Sequence, residues 1–176
     1  RQTDRLIAAG CHALFCFGTN GEGYALSGME KKQVLECVIE QTDQRVPVYA
    51  GTGCVTTRET IAQSLMAEAA GADVLSLVTP SFAQASQNEL YEHYKTIAES
   101  VHLPIVLYNI PARTGNALAP ETVAKLSMID NIVGVKDSSG SFENILAYLE
   151  AGKSRKSGDF ATLSGNDSLI LKTLQA

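Results

Sequence analysis

Pro104-Ile-Val-Leu-Tyr-Asn-Ile-Pro-Ala-Arg-Thr-Gly115 and, one helical segment later, Asn131-Ile-Val-Gly-Val-Lys-Asp-Ser-Ser-Gly140 decide how this chain folds. Each opens on an apolar, β-branched run of strand length, as interior strands do. Each finishes in reactive side chains: Tyr108 and Arg113 in the first, Lys136 in the second. Lysine is almost never fully buried without a partner, so its place at the end of Ile132-Val133-Gly134-Val135 needs an explanation.

Two readings of Lys136 stand. In one, the strand stops at Val135 and the amine extends into water. In the other, the amine sits in an enclosed site and is kept uncharged to attack a ketone. An unperturbed lysine is neutral in only about one molecule in 2500 at pH 7. Lowering its pKa by about 3 units takes roughly 4 kcal/mol, which burial can supply. Tyr108 favours the second reading, because Schiff-base chemistry also needs a proton shuttle.

Working outward, strand-like runs alternate with helical patterns. Strands are predicted over 13–18, 46–51, 73–80, 104–111, 132–137 and 160–165, with helices before, between and after them. The helix from Ser27 starts with a capping box, Ser27 and Glu30; others end at Gly71 and Gly152. Repeated βα units imply a parallel sheet with right-handed crossovers. The runs are apolar throughout, as for strands covered on both faces.

An open doubly wound sheet and a closed barrel both fit this order. Polar or glycine-rich residues follow all six strands, for example Thr19-Asn20-Gly21-Glu22, Thr79-Pro80-Ser81 and Ser164-Gly165-Asn166-Asp167. In a barrel these ends meet on one rim, where active sites are built; in an open sheet they spread along a line. We therefore expect a (β/α)8 TIM barrel, incomplete in this chain. About six βα units would be present and the first and last strands missing. The expectation is a single barrel domain over 1–176, truncated at both ends; a full barrel takes about 250 residues.

Composition sets the outer limits. With 45% hydrophobic and 19% charged residues in 176, there is ample material for a core. A net charge of -5 without a basic tract argues against nucleic acid or anionic membranes as partners. No apolar run of membrane-spanning length and no signal-peptide pattern is present, which points to the cytoplasm. Cys11, Cys16, Cys37 and Cys54 form no C-x-x-C pair and read as reduced, mostly buried thiols. His12, His93 and His102 show no metal-ligand spacing.

Gly18-Thr19-Asn20-Gly21-Glu22-Gly23 lacks the glycine intervals of a dinucleotide fingerprint. It reads either as a plain tight turn or as a cradle of backbone N–H groups for a small anion, with Thr19 adding a donor. Arg113 carries a planar fork suited to a carboxylate. Glu22 and Asp137 read as an acid–base pair or as helix caps and acceptors of backbone hydrogen bonds.

Together, G-T-N-G-E, Y-N-I-P-A-R-T-G and G-V-K-D-S-S-G, in this order and spacing, resemble the dihydrodipicolinate synthase / N-acetylneuraminate lyase family of pyruvate-dependent class I aldolases. The resemblance spans nearly the whole chain. It implies that Lys136 forms a Schiff base with pyruvate and that Tyr108 shuttles protons. It implies that Thr19, with N–H groups of the turn through Asn20, holds the pyruvate carboxylate. Arg113 would bind a carboxylate of the aldehyde partner. It further implies a homotetramer and no metal or organic cofactor.

Two positions depart from the family pattern. Synthases of this family usually carry two consecutive threonines in the glycine turn; here the second is Asn20. They usually carry a tyrosine where this chain has Phe82, which has no hydroxyl to relay a proton. These departures bring a 2-keto-3-deoxy sugar acid aldolase or N-acetylneuraminate lyase-like activity alongside the synthase. A keto-acid-binding protein without turnover is the non-enzyme alternative.

Overall fold

The strand order of the sheet is the order of the chain: β1 (Leu14–Cys16), β2 (Val48–Gly51), β3 (Val74–Val78), β4 (Ile105–Asn109), β5 (Ile132–Asp137) and β6 (Ala161–Ser164), all parallel. This computed structural model describes residues 1–176. Eight helices surround the strands: α1 (Gln2–Ala8), α2 (Gly28–Thr42), α3 (Thr57–Ala70), α4 (Gln87–Ala98), α5 (Pro111–Thr114), α6 (Pro120–Leu126), α7 (Phe142–Gly152) and α8 (Ile170–Gln175). The sheet curls into an arc of a (β/α)8 barrel, with β1 and β6 as its two edges.

The core lies between the arc and its helices. Val48, Ala50, Leu75, Leu77, Ile105, Leu107 and Val135 alternate along their strands, so they share the outer face. They meet Leu35, Leu90, Tyr94, Ile97 and Tyr148 from the helices. The two buried tyrosines keep their hydroxyls satisfied: Tyr94 donates to the Leu77 carbonyl at 3.2 Å and Tyr148 to the Leu118 carbonyl at 2.6 Å.

The inner face differs from expectation. Only β4 is buried along its whole length. On the edge strands the inward Phe15 is 38% exposed and Leu163 41% exposed. Apolar runs signalled strands correctly, but they did not signal cover on both sides.

Local signals placed most helix ends. Ser27 and Glu30 close the expected capping box on α2, and Ser86 and Glu89 form a second on α4. Gly71 ends α3 in the left-handed region at φ 92°. Gly152 does not act this way: it lies inside the last turn of α7, and Lys153 follows in right-handed conformation. Helix α5 lies where the strand pattern was expected to run on to Pro111. It is one turn set by Pro111 at its start and Gly115 at its end, too short to show periodicity.

The thiols are a further correction. All four are free, but Cys11 and Cys37 are exposed and only Cys16 and Cys54 are half-buried. Cys37 falls on the outer side of α2, away from the stripe that buries Leu35. No helix is long and apolar enough to cross a membrane.

Candidate active site

The pairing of β4 with β5 sets Tyr108 opposite Lys136. Both side chains therefore leave the sheet on its inner face, at the carboxyl ends of neighbouring strands. The Lys136 nitrogen lies 4.0 Å from the centre of the Tyr108 ring and 4.9 Å from that of Phe15. The Phe15 and Tyr108 rings meet edge to face, with centroids 6.4 Å apart. The amine thus stands in an aromatic corner rather than in bulk water. Lys136 is half-buried, short of the full enclosure the sequence suggested.

A cavity of about 540 Å³ opens above this corner, lined among others by Lys136, Tyr108, Thr19, Asn20, Arg113 and Ser138. All five site residues expected from sequence are therefore brought together. A second hollow of about 660 Å³ shares Phe15, Thr19, Tyr108 and Arg113 with it and reaches Lys31 and Glu59 at its far side. Lys136 does not line that larger hollow. The amine accordingly faces the smaller one.

Gly165 backs the corner from β6. A Cβ there would lie 2.0 Å from Ser138 Oγ and 3.1 Å from Lys136 Cε, so only glycine leaves both side chains where they are. Ser138 Oγ lies 3.5 Å from the Tyr108 hydroxyl and donates to it. Burial pushes the Tyr108 phenol up. The Ser138 hydrogen bond, the Lys136 charge and a hydrogen bond with Thr19 outweigh it and hold the phenol below its ordinary value.

Asp137 resolves in favour of structure. Its buried carboxylate accepts from Asn109 Nδ2 at 2.7 Å, Asn144 Nδ2 at 2.9 Å and Ser139 Oγ at 2.6 Å. With both oxygens engaged, it fixes the strand end that carries Lys136. Glu22 is exposed and lines neither hollow.

The glycine turn folds as a 3-10 turn over Thr19–Gly21 followed by a second over Gly23–Ala25. A Cβ on Gly23 would come 2.4 Å from the Phe17 carbonyl oxygen, which explains that glycine. The N–H groups of Gly21 and Gly23 bond to the Gly18 carbonyl, and that of Glu22 to Thr19. The cradle foreseen from sequence is thus reduced to the first N–H groups, those of Thr19 and Asn20, which a 3-10 turn leaves outside its own bonds. Arg113 is exposed at the end of α5 and lines both hollows, as a residue of the mouth does. Phe82 lines neither; it is 99% exposed, at φ 80°.

Phe15 and Gly165 were not singled out in the sequence. Phe15 looked like one more apolar strand residue; period-two counting along β1, with Leu14 buried, would have turned it inward. No group of three or more His, Cys, Asp or Glu side chains is arranged to hold a metal ion.

A family model described as the Dihydrodipicolinate synthetase family matches residues 1–176. The chain belongs to that family. Curated relatives include the 4-hydroxy-tetrahydrodipicolinate synthase of Methanopyrus kandleri, 43% identical over 171 residues, covering 97% of this chain and 56% of the relative. The enzyme of the same name from Staphylococcus haemolyticus is 42% identical over 176 residues, covering 99% of this chain and 58% of the relative. The dihydrodipicolinate synthase of Acinetobacter baumannii, solved in complex with pyruvate, superposes with a TM-score of 0.93 at 38% identity. That superposition covers 98% of this chain and 58% of the solved one. The chain thus spans somewhat more than half the length of the family members it matches.

Proposed function

We propose that the site is that of a lysine Schiff-base lyase or synthase of the 4-hydroxy-tetrahydrodipicolinate synthase type, joining pyruvate to an aldehyde. The observation that carries this reading is the Lys136 amine standing 4.0 Å from the Tyr108 ring centre in a cavity that also holds Thr19 and Arg113.

Neutral Lys136 attacks the ketone carbon of pyruvate. The new C–N bond converts the carbonyl oxygen into a hydroxyl, which takes a proton from Tyr108 and leaves as water, giving the imine. The protonated imine then acts as the electron sink for carbon–carbon bond formation or cleavage, so the reaction uses no metal or organic cofactor. Thr19 and the N–H groups of Thr19 and Asn20 hold the pyruvate carboxylate. Arg113, at the mouth, meets a carboxylate of the aldehyde partner in a two-pronged contact. The protein works in the cytoplasm as a homotetramer, on small molecules alone.

Asn20 and Phe82 favour a second reading, a 2-keto-3-deoxy sugar acid aldolase, because both positions lack a hydroxyl. Aspartate semialdehyde and glyceraldehyde, each offered with pyruvate, separate the two: turnover of the first alone supports the synthase, of the second alone the aldolase. The shared chemistry is tested by incubation with pyruvate and borohydride. A stable mass on Lys136, equal to pyruvate less water plus two hydrogens, is expected. Lys136→Ala that still traps pyruvate would refute the reading.

A further inference from the structure

We infer that Ser138 is a positioning residue for Tyr108: its hydroxyl, in the space left by Gly165, donates to the phenol oxygen and steadies the negative charge there once Tyr108 has given up its proton. This inference rests on the imine reading above.

Two independent observations support the assignment. The first is the hydrogen bond itself, Ser138 Oγ to Tyr108 Oη at 3.5 Å. That length is long for an O–H···O bond. Catalytic hydrogen bonds are often long before substrate arrives and tighten afterwards. The second is the clearance: at position 165 any Cβ would strike Ser138 Oγ at 2.0 Å. The serine hydroxyl therefore occupies a slot whose far wall is bare backbone.

The backbone around the slot is fixed. Ser138 N–H donates to the Asn109 carbonyl at 2.8 Å, and Gly165 N–H to the Asp137 carbonyl at 2.7 Å. These bonds prolong the strand ladders one residue past the sheet and leave the Ser138 side chain facing the cavity that it lines. Apart from Ser138, the phenol has one other hydroxyl partner, Thr19 of the glycine turn. Asn20 carries no hydroxyl, and Phe82 lines neither hollow.

The proton count is simple. Tyr108 gives its proton to the departing hydroxyl of the carbinolamine; the C–O bond breaks and water leaves. Ser138 keeps its own proton throughout and only points it at the phenolate. Tyr108 is restored when the phenolate takes a proton back from the substrate. A hydrogen bond to a charged oxygen is stronger than one to a neutral phenol, so Ser138 favours the step in which charge develops.

The test measures two quantities in the wild type, Ser138→Ala, Ser138→Thr, Tyr108→Phe and the Ser138→Ala/Tyr108→Phe double variant. One is the rate of borohydride-trappable imine formation with pyruvate. The other is the titration of Tyr108 by NMR with ring-labelled tyrosine, without substrate. Ser138→Ala is expected to slow imine formation about 10- to 100-fold and to raise the Tyr108 titration midpoint. Ser138→Thr is expected to restore both. In the Tyr108→Phe background the alanine should add nothing. An unmoved Tyr108 titration, or an equal loss in the Tyr108→Phe background, overturns the inference. A wild type that traps no pyruvate, with a Tyr108 midpoint that still moves in Ser138→Ala, defeats the imine reading and leaves the Ser138–Tyr108 pairing standing.

Discussion

Tyr108 and Lys136 are register partners on adjacent parallel strands, and the lysine nitrogen lies over the tyrosine ring 4.0 Å from its centre. Nucleophile and proton carrier are thus spaced by the sheet itself, not by loops. Replacing Tyr108 with phenylalanine keeps the ring and removes only the hydroxyl. Imine formation with pyruvate is expected to slow by about 10²–10⁴-fold, while Lys136 still becomes fully labelled at long times. Timed borohydride quenching followed by mass spectrometry measures both.

Asp137 anchors the same strand end, and it holds three side-chain donors in a buried place. Asp137→Ala leaves Asn109 and Asn144 without their acceptor. A loss of about 3 kcal/mol is expected by urea denaturation. Trapping of pyruvate should also slow, because Lys136 precedes the anchor by one residue.

His93 supplies a pH dependence. It is buried on α4, its Nδ1 is 2.9 Å from Thr57 Oγ1, and its Nε2 has no partner. Burial pushes it from 6.5 down to about 4. The unfolded chain therefore takes up the proton first as pH falls. The neutral ring's contribution to stability is present in full above pH 6.5 and is lost progressively as pH drops towards about 4. Thermal melting followed between pH 7 and 5 should fall more steeply for the wild type than for His93→Gln, which does not titrate there. Parallel curves would remove His93 from the account.

Phe82 holds a left-handed conformation at φ 80° with its ring 99% exposed. A bulky residue is strained there, and this one gains nothing from burial. Phe82→Gly is expected to raise stability by about 1 kcal/mol, relief of strain exceeding the added freedom of the unfolded chain. Denaturant midpoints decide it; a loss of stability would show that the ring packs against something in solution.

The sequence was most legible where a feature depends on near neighbours in the chain. The box of Ser27 and Glu30, the stop at Gly71 and the bounds of β5 all follow from residues within a turn or a strand. The residues that gather at the site were legible too, because each lies at or just past the carboxyl end of a strand, and parallel order sends all those ends to one side. What stayed hidden depends on distance across the fold. Gly165 is required by Ser138 and Lys136, on another strand. Phe15 faces the amine only because β1 and β5 curve towards each other. The exposure of Cys37 depends on which side of α2 meets the sheet, and that is settled by packing rather than by the spacing of its apolar residues.

The matching of strand order to chain order has a consequence for how the molecule comes apart. No strand pairs with one distant in sequence, so each βα unit can add to or peel from its predecessor without the others rearranging. Amide protons should then exchange most slowly in β4, the strand buried along its whole length. Lys136 and its backing Gly165 stand on neighbouring units, so a partial opening between β5 and β6 would part the amine from its glycine while the pairing of β4 with β5 still held Tyr108 beside it.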